Sequence, residues 1–151
     1  MAENMTWQAS QWARRAIGDE WLAQVQYWLE ALNIDDENED AVSEFIEHEH
    51  DEWDHATELA AWLRSVPGCG KLPRSIREIT AWQHCGYVFP SGYTREALVG
   101  DAIKGEKCAI EFYERYISLI SGKMYSGPDL GEILEQILAK EKEHLRDLEK
   151  L

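Results

Sequence analysis

The chain has 151 residues, with 29 Asp and Glu against 15 Lys and Arg, which gives a formal net charge of −14 at pH 7. This length fits a single domain spanning residues 1–151, and 44% apolar residues argue against a disordered acidic tail. The acidity disfavours nucleic acid and anionic membranes as partners, but leaves cations, metal ions and other proteins open.

The absence of targeting signals and the use of cysteine both bear on the cellular location. No segment reaches the length of about 20 apolar residues that a membrane crossing needs, and the N-terminus lacks the apolar core of a signal peptide. The three cysteines, Cys69, Cys85 and Cys108, contain no Cys-x-x-Cys pair. They therefore disfavour a rubredoxin-type or zinc-ribbon site, and we expect a cytoplasmic protein.

Helical periodicity predicts two helices in the first half of the chain, from about Trp7 to Asn33 and from about Glu39 to Ser65. The pattern Asp36-x-x-Glu39 is typical of a capping box and marks the start of the second helix. Residues 66–93 contain three of the four prolines and break the periodicity. This connection has room for a short helix near Ser75–His84, and a connection of such length usually has a purpose.

The second half repeats the plan of the first. Thr94 is a suitable N-cap for a helix that runs to about Ile120, and Asp129-x-x-Glu132 forms a capping box for the last helix. The sequence therefore predicts an all-α, antiparallel four-helix bundle built from two hairpins and joined by a long connection.

Acidic and imidazole side chains interrupt the apolar stripe of each predicted helix. A buried lone charge is costly unless it is paired or binds a metal. Two Glu-x-x-His motifs, at Glu52 and Glu141, each put a carboxylate and an imidazole one turn apart on one helix face. One such motif is a weak signal, but two of them, with one inward glutamate on each remaining helix, form a specific pattern. The six inward residues are Glu20, Glu52, His55, Glu106, Glu141 and His144.

The heights of the four glutamates along the bundle agree. Glu20 and Glu52 lie 16 residues before and after the middle of the first turn, or about 24 Å at 1.5 Å per residue. Glu106 and Glu141 lie 17 and 18 residues from the middle of the second turn. All four can therefore meet in the middle of the bundle. The alternative, a set of solvated surface charges, fits poorly with stripes that are otherwise apolar.

This ligand set is that of di-iron carboxylate four-helix bundles, and the chain resembles the ferritin-like superfamily throughout, apart from the long connection. The resemblance implies two terminal glutamates, two bridging glutamates and one histidine for each metal. These would be Glu20 and Glu106, Glu52 and Glu141, and His55 and His144, respectively. Such donors suit two iron ions, with manganese or another divalent metal as alternatives.

Three further residues lie on or near this stripe. Tyr27 follows Glu20 by seven residues, where ferritins often carry a tyrosine, but a core aromatic is an equal alternative. Tyr113 holds the corresponding place on the third long helix, and core packing is its more usual role. His48, one turn before Glu52, is either an auxiliary or metal-entry ligand or, more commonly, a solvated or hydrogen-bonded histidine.

Within the superfamily the chain is most similar to the Dps-like proteins of archaea and bacteria called thioferritins. The segments that carry this resemblance are Ile79–Ala81, Gly86–Pro90 and Glu106–Ile110. The resemblance implies a redox pair of Cys85 and Cys108 beside the site, although a reduced and buried Cys108 is an alternative. It also implies a hollow homo-oligomeric cage of twelve subunits.

Other branches of the superfamily fit less well. Bacterioferritins bind haem through a methionine at the place of Trp53, so no haem is expected here. Other Dps proteins build their site between subunits with histidines from the first helix, which this chain lacks there. Rubrerythrins add a rubredoxin domain, and its cysteines are missing. The seven tryptophans, Trp21 and Trp28 among them, mark either subunit contacts or core packing.

We therefore predict a ferroxidase mini-ferritin. Two Fe(II) ions bind, hydrogen peroxide or oxygen takes one electron from each, and the ferric product is stored, which protects against oxidative stress. A DNA-coating role is disfavoured because no basic tail is present. The alternatives are a di-metal redox enzyme without storage, of the peroxidase or manganese catalase type, and a helical interaction protein without metal.

Overall fold

A computed structural model describes residues 2–35, 37–68, 72–87, 90, 92–122 and 129–151, and of residues 2–5 it describes the backbone alone. Within these ranges the chain forms helices and no strands, so the prediction of an all-α fold is confirmed. The helices are α1 (Ala2–Asn33), α2 (Glu39–Ser65), α3 (Ile76–Ala81), α4 (Arg95–Ile120) and α5 (Leu130–Glu149). None of these helices carries an apolar stretch of the length that a bilayer crossing requires.

Side-chain caps fix three helix starts. Thr94 accepts a hydrogen bond from the backbone N–H of Ala97 at 3.2 Å, and Asp129 accepts one from Glu132 at 3.2 Å. Both N-caps are as predicted, whereas the Glu132 carboxylate, the second half of the predicted capping box, accepts a hydrogen bond from Gln136. Ser75 caps the short helix α3 in the same manner, inside the segment where the sequence left room for a helix.

Two boundaries differ from the sequence prediction. The N-cap of α2 is Asn38, whose side chain makes no capping hydrogen bond, so Glu39 follows the cap directly and is not the fourth residue of a capping box. Helix α1 begins at Ala2 and not near Trp7. Some residues that entered the predictions lie outside the described ranges, namely Asp36, Cys69, the middle of the second turn at Lys123, and Val88 and Phe89 of the segment Gly86–Pro90.

The four long helices pack in a ring, in which α1 contacts α2 and α4, and α5 contacts α4 and α2. Each neighbouring pair is antiparallel. Between α1 and α4, for example, Tyr27 pairs with Glu106 while Tyr113 pairs with Glu20. The direction along the chain is thus up, down, down and up, because the connection between α2 and α4 runs the length of the bundle.

Two apolar clusters fill the bundle. One contains Ala13, Leu59 and Phe112, and the other contains Phe45 and Leu98 at the opposite end. On every long helix the predicted inward polar residues fall between the residues that contribute to these two clusters. The polar residues therefore form a layer across the middle of the bundle.

The long connection is held against α1 and α4. Asp19 accepts hydrogen bonds from the backbone N–H groups of His84, at 2.7 Å, and Cys85, at 2.8 Å. A Cβ atom on Gly18 would come within 2.7 Å of the backbone nitrogen of Gln83, so the close approach depends on glycine. The ring of Tyr87 lies over α4 in the same way, and its hydroxyl donates to a backbone carbonyl of that helix.

Candidate metal centre

The six side chains predicted from the sequence meet in the polar layer between the two apolar clusters. All of them are buried, with at most 6% of each residue exposed. Each long helix contributes to the group, since α1 and α4 supply one glutamate each and α2 and α5 supply a glutamate and a histidine each. The residues are Glu20, Glu52, His55, Glu106, Glu141 and His144.

One half of the group surrounds His55. Its Nδ1 atom lies 3.0 Å from Oε2 of Glu52 and 3.1 Å from Oε1 of Glu141. The same nitrogen lies 3.4 Å from Oε2 of Glu20. Three carboxylates from three different helices thus converge on one imidazole nitrogen.

The other half surrounds His144, whose Nδ1 atom lies 3.3 Å from Oε1 of Glu52 and 3.5 Å from Oε2 of Glu141. Oε1 of Glu106 is 3.3 Å from the same nitrogen. Glu52 and Glu141 therefore direct one oxygen toward each histidine. The result is two groups of four donors that share these two carboxylates, with the ligand atoms of each group within 4.8 Å of one another.

The electrostatics of the group favour protons or cations. Burial, followed by the charges of Glu20 and Glu106, raises the pKa of Glu52 to about 8. Burial and the charge of Glu52 raise the pKa of Glu141. Burial alone would lower the pKa of His55, but the neighbouring carboxylates, Glu20 foremost, raise it far above its usual value. Protons therefore balance part of the negative charge when no metal is bound, and bound cations would displace them.

Several donor atoms of the group lack a well-oriented hydrogen bond. Among the described residues, Nδ1 of His144, Oε2 of Glu106 and Oε1 of Glu141 are buried and unsatisfied. Such groups are rare in folded proteins because leaving them unpaired is costly. Carboxylates combined with imidazole are suitable ligands for iron and manganese, so the donor set fits a pair of such ions.

Two tyrosines bind the outer glutamates in a crossed pattern. The hydroxyl of Tyr27 on α1 donates to Oε1 of Glu106 on α4, and that of Tyr113 on α4 donates to Oε1 of Glu20 on α1. The sequence placed Tyr27 near Glu20 along the helix, but its partner is on the neighbouring helix. Both tyrosines are buried, so each holds a glutamate oxygen in a fixed place.

Asp51 also belongs to the group, although sequence reasoning missed it. Its Oδ2 atom lies 2.9 Å from Nε2 of His144, and Lys140 approaches the same oxygen at 3.8 Å. This contact orients the ring so that Nδ1 faces the carboxylates, as partners of metal-binding histidines commonly do. The signal that could have identified Asp51 was its place in the sequence, directly before Glu52.

His48 is neither solvated nor hydrogen-bonded, so the more common of its two expected roles was wrong. It is 1% exposed, and within the described part of the chain neither ring nitrogen has a hydrogen-bond partner. Its ring stacks on His144 with 3.9 Å between the centroids. Burial, followed by the charge of His144, lowers the pKa of His48 to about 3.

The two cysteines lie at the level of the outer glutamates along the bundle. Cys85 and Cys108 form a disulfide that links the long connection to α4. Cys108 follows Glu106 by two residues, and Cys85 is held by Asp19, the neighbour of Glu20. Burial, against the two backbone hydrogen bonds, raises the pKa of Asp19 to about 7.

A surface cavity of about 240 Å³ between α1 and α2 reaches the centre. Glu20 and Glu52 line it together with apolar side chains, among them Trp53 and Leu72. More than half of Trp53 is exposed, so this residue lies at the outer rim. The cavity gives small solutes a path from the surface to two of the six side chains.

A four-helix bundle with two Glu-x-x-His motifs and two further inward glutamates has the ligand arrangement that is typical of carboxylate-bridged metal proteins. Residues 14–151 match the family model described as a ferritin-like domain. The chain therefore belongs to the ferritin-like family.

A solved structure agrees with the family match. The chain is similar to a dodecameric thioferritin, the bacterioferritin-related protein from Bacteroides fragilis, with a TM-score of 0.85 and 27% identity. The likeness covers 99% of this chain and 92% of the other. No curated protein sequence matches. The resemblance predicted from the sequence is thus confirmed, and both findings support a place among iron-storage ferroxidases.

Proposed function

We propose that this chain is a ferroxidase mini-ferritin, Dps-like in assembly, with an intrasubunit di-iron site. The observation that carries the proposal is the pair of four-donor groups that share Glu52 and Glu141. In this proposal Glu52 and Glu141 bridge two Fe(II) ions and the two histidines bind one ion each. The outer glutamates, Glu20 and Glu106, are the terminal ligands.

The reaction takes one electron from each Fe(II). With hydrogen peroxide as oxidant, two Fe(II), one peroxide and two protons give two Fe(III) and two waters. Removing both electrons at one site avoids release of a hydroxyl radical, which is the basis of protection against oxidative stress. Oxygen is the second candidate oxidant, and parallel reactions with each oxidant distinguish them.

Storage requires a closed shell, and we propose a homo-oligomeric cage of twelve copies. The dodecameric thioferritin to which the chain is similar supports this. Exposed aromatic side chains support it too, since Trp7, Trp28 and Trp53 are each more than half exposed and tryptophan is enriched at subunit contacts. Under this proposal residues 1–151 act as one domain, in the cytoplasm and without haem.

The proposal is tested by following ferric absorbance after anaerobic apoprotein is loaded with Fe(II) and mixed with peroxide. We expect Glu52→Ala to slow oxidation by about tenfold or more, because it removes a carboxylate shared by both ions. Glu58→Ala, an exposed glutamate on the same helix, should keep the wild-type rate. Oxidation by Glu52→Ala at the wild-type rate would sink the proposal.

A di-metal redox enzyme without storage is the second candidate, favoured by the disulfide of Cys85 and Cys108 next to the centre. Size-exclusion chromatography discriminates between the two, since a stable monomer or dimer fits this candidate and a closed shell fits the mini-ferritin. Metal analysis addresses the third alternative, because two equivalents of bound metal per chain would exclude a helical interaction protein without metal.

A further inference from the structure

A second set of acidic and imidazole side chains lies one turn beyond the six-residue centre. Glu44 lies one turn before His48 on α2, and Asp147 lies one turn after His144 on α5. The ligand atoms of Glu44, His48 and Asp147 all lie within 4.8 Å of one another. The donors thus continue past the centre on both helices, toward the start of α2 and the end of α5.

The surroundings of His48 indicate that this set binds a ligand. Its side chain is 1% exposed, and its Nε2 atom lies 3.4 Å from Oε2 of Glu44, without a hydrogen bond from either ring nitrogen to any described residue. A buried imidazole whose nitrogens make no hydrogen bond to the described residues is unusual, because the cost of desolvation is not recovered. A cation between His48 and the two carboxylates would recover it.

We propose that Glu44, His48 and Asp147 bind a third divalent cation, of the class of Fe(II), Co(II) or Zn(II), beside the six-residue centre. One imidazole and two carboxylates are suitable donors for these ions, and water can complete the coordination. The side chains of Glu44 and Asp147 are 33% and 29% exposed, so the site is open to solvent while its histidine is not.

The ion pair between Asp147 and Lys150 does not block the site. Nζ of Lys150 lies 3.5 Å from Oδ1 of Asp147, and the lysine side chain is 75% exposed. An ion pair this exposed contributes little, so a divalent cation can displace the lysine.

The outer site also adjoins the donors of the six-residue centre. Ligand atoms of His48, Glu106 and His144 lie within 4.8 Å of one another, so a cation at the outer site has the centre's own donors as its nearest inner neighbours. Delivery of Fe(II) from the outer site to the centre rests on the proposed function, whereas binding of the cation does not.

The experiment locates Co(II) by anomalous scattering in crystals of the full-length metal-free protein soaked in Co(II). We expect a peak bounded by Glu44, His48 and Asp147, and expect the double variant Glu44→Gln/Asp147→Asn to lose it. The double variant Glu47→Gln/Glu143→Gln removes the same charge from the same two helices at exposed positions, and should keep the peak. Equilibrium dialysis should report one fewer Co(II) per chain for the first variant alone.

The outcomes separate the two proposals. A wild-type map with cobalt at the six-residue centre but none beside His48 would overturn the third site and leave the proposed function intact. A peak that survives in Glu44→Gln/Asp147→Asn would overturn it as well. Cobalt beside His48 with none at the centre would support the third site and contradict the di-iron proposal.

Discussion

Each outer glutamate of the centre is held by a tyrosine from the neighbouring helix. Tyr27 donates to Glu106, and Tyr113 donates to Glu20. Each contact joins a tyrosine of one hairpin to a glutamate of the other, so both halves of the centre have a supporting tyrosine. A hydrogen bond to one oxygen leaves the other oxygen of each carboxylate available to a metal ion.

We predict that Tyr27→Phe and Tyr113→Phe each slow Fe(II) oxidation by about tenfold, because partners of metal ligands commonly contribute 10- to 100-fold to metal affinity or activity. The two variants should both be slow, since each removes the tyrosine that holds one outer glutamate. Tyr93→Phe, at a position that is 66% exposed, serves as the control. Stopped-flow absorbance measures the rates, and wild-type rates for both buried variants would contradict a positioning role.

Glu30 is a buried carboxylate outside the centre. It is fully buried, and one oxygen accepts a hydrogen bond from Gln26 while the other has no partner in the described ranges. Burial first, and then the charge of Asp101, raise the pKa of Glu30 to about 8, against the hydrogen bond from Gln26. The folded chain therefore holds a proton here that the unfolded chain releases near pH 4.5.

The sign of the pH dependence follows from this. The contribution of Glu30 to stability is fully present below the unfolded pKa and is lost as the pH rises toward about 8. We predict that Glu30→Gln, which mimics the protonated form, raises the free energy of unfolding by about 1–3 kcal/mol near pH 8 or above, and much less near pH 5. Denaturant unfolding across this range measures it, with the exposed Glu58→Gln as control. An advantage that does not change with pH would contradict the assignment.

The inward donors of the centre could be predicted from the sequence, but the contacts of the side chains around them could not. Helical periodicity fixes the face and the height of a side chain, which is enough to bring Glu20, Glu52 and the other inward donors together. It does not fix which side chain of a neighbouring helix lies opposite. The crossed tyrosines, the contact of Asp51 with His144 and the burial of His48 depend on that second relation, so the sequence left them open or assigned them differently.

The connection between α2 and α4 makes most of the helix contacts that helical periodicity could not predict. Asp19, Gly18 and the disulfide hold it against α1 and α4, near both outer glutamates. None of these contacts follows a helical repeat, whereas the caps Thr94 and Asp129 are local patterns and were found from the sequence.

We predict that Gly18→Ala lowers the free energy of unfolding by about 1–3 kcal/mol, the usual cost of forcing atoms into a packed place. The added Cβ would meet backbone atoms of Trp82 and Gln83 at 2.8 and 2.7 Å, and backbone cannot move aside as a flexible side chain can. Gly100→Ala on α4 is the matched control, since a Cβ there meets no described atom within 4 Å and alanine favours a helix. Equal free energies of unfolding for the two variants would contradict the prediction, because the connection would then have moved to make room for the added Cβ.

For the whole molecule, the net charge of −14 divides into two parts. Four carboxylates lie in the middle layer, where burial raises the pKa of Glu52, Glu106 and Glu141. Most other acidic residues are exposed or half-buried. In a closed shell, acidic surfaces of this kind would draw Fe(II) inward through the summed electrostatic field.

Under the proposed function, one chain holds two metal ions between Glu52 and Glu141. Anomalous scattering at the iron edge, from crystals loaded anaerobically with Fe(II), tests it most directly. We predict two peaks per chain, one beside Nδ1 of His55 and one beside Nδ1 of His144, about 3.5–4 Å apart, as is usual for two-metal sites. A map of fully loaded crystals with no iron between Glu52 and Glu141 would contradict it.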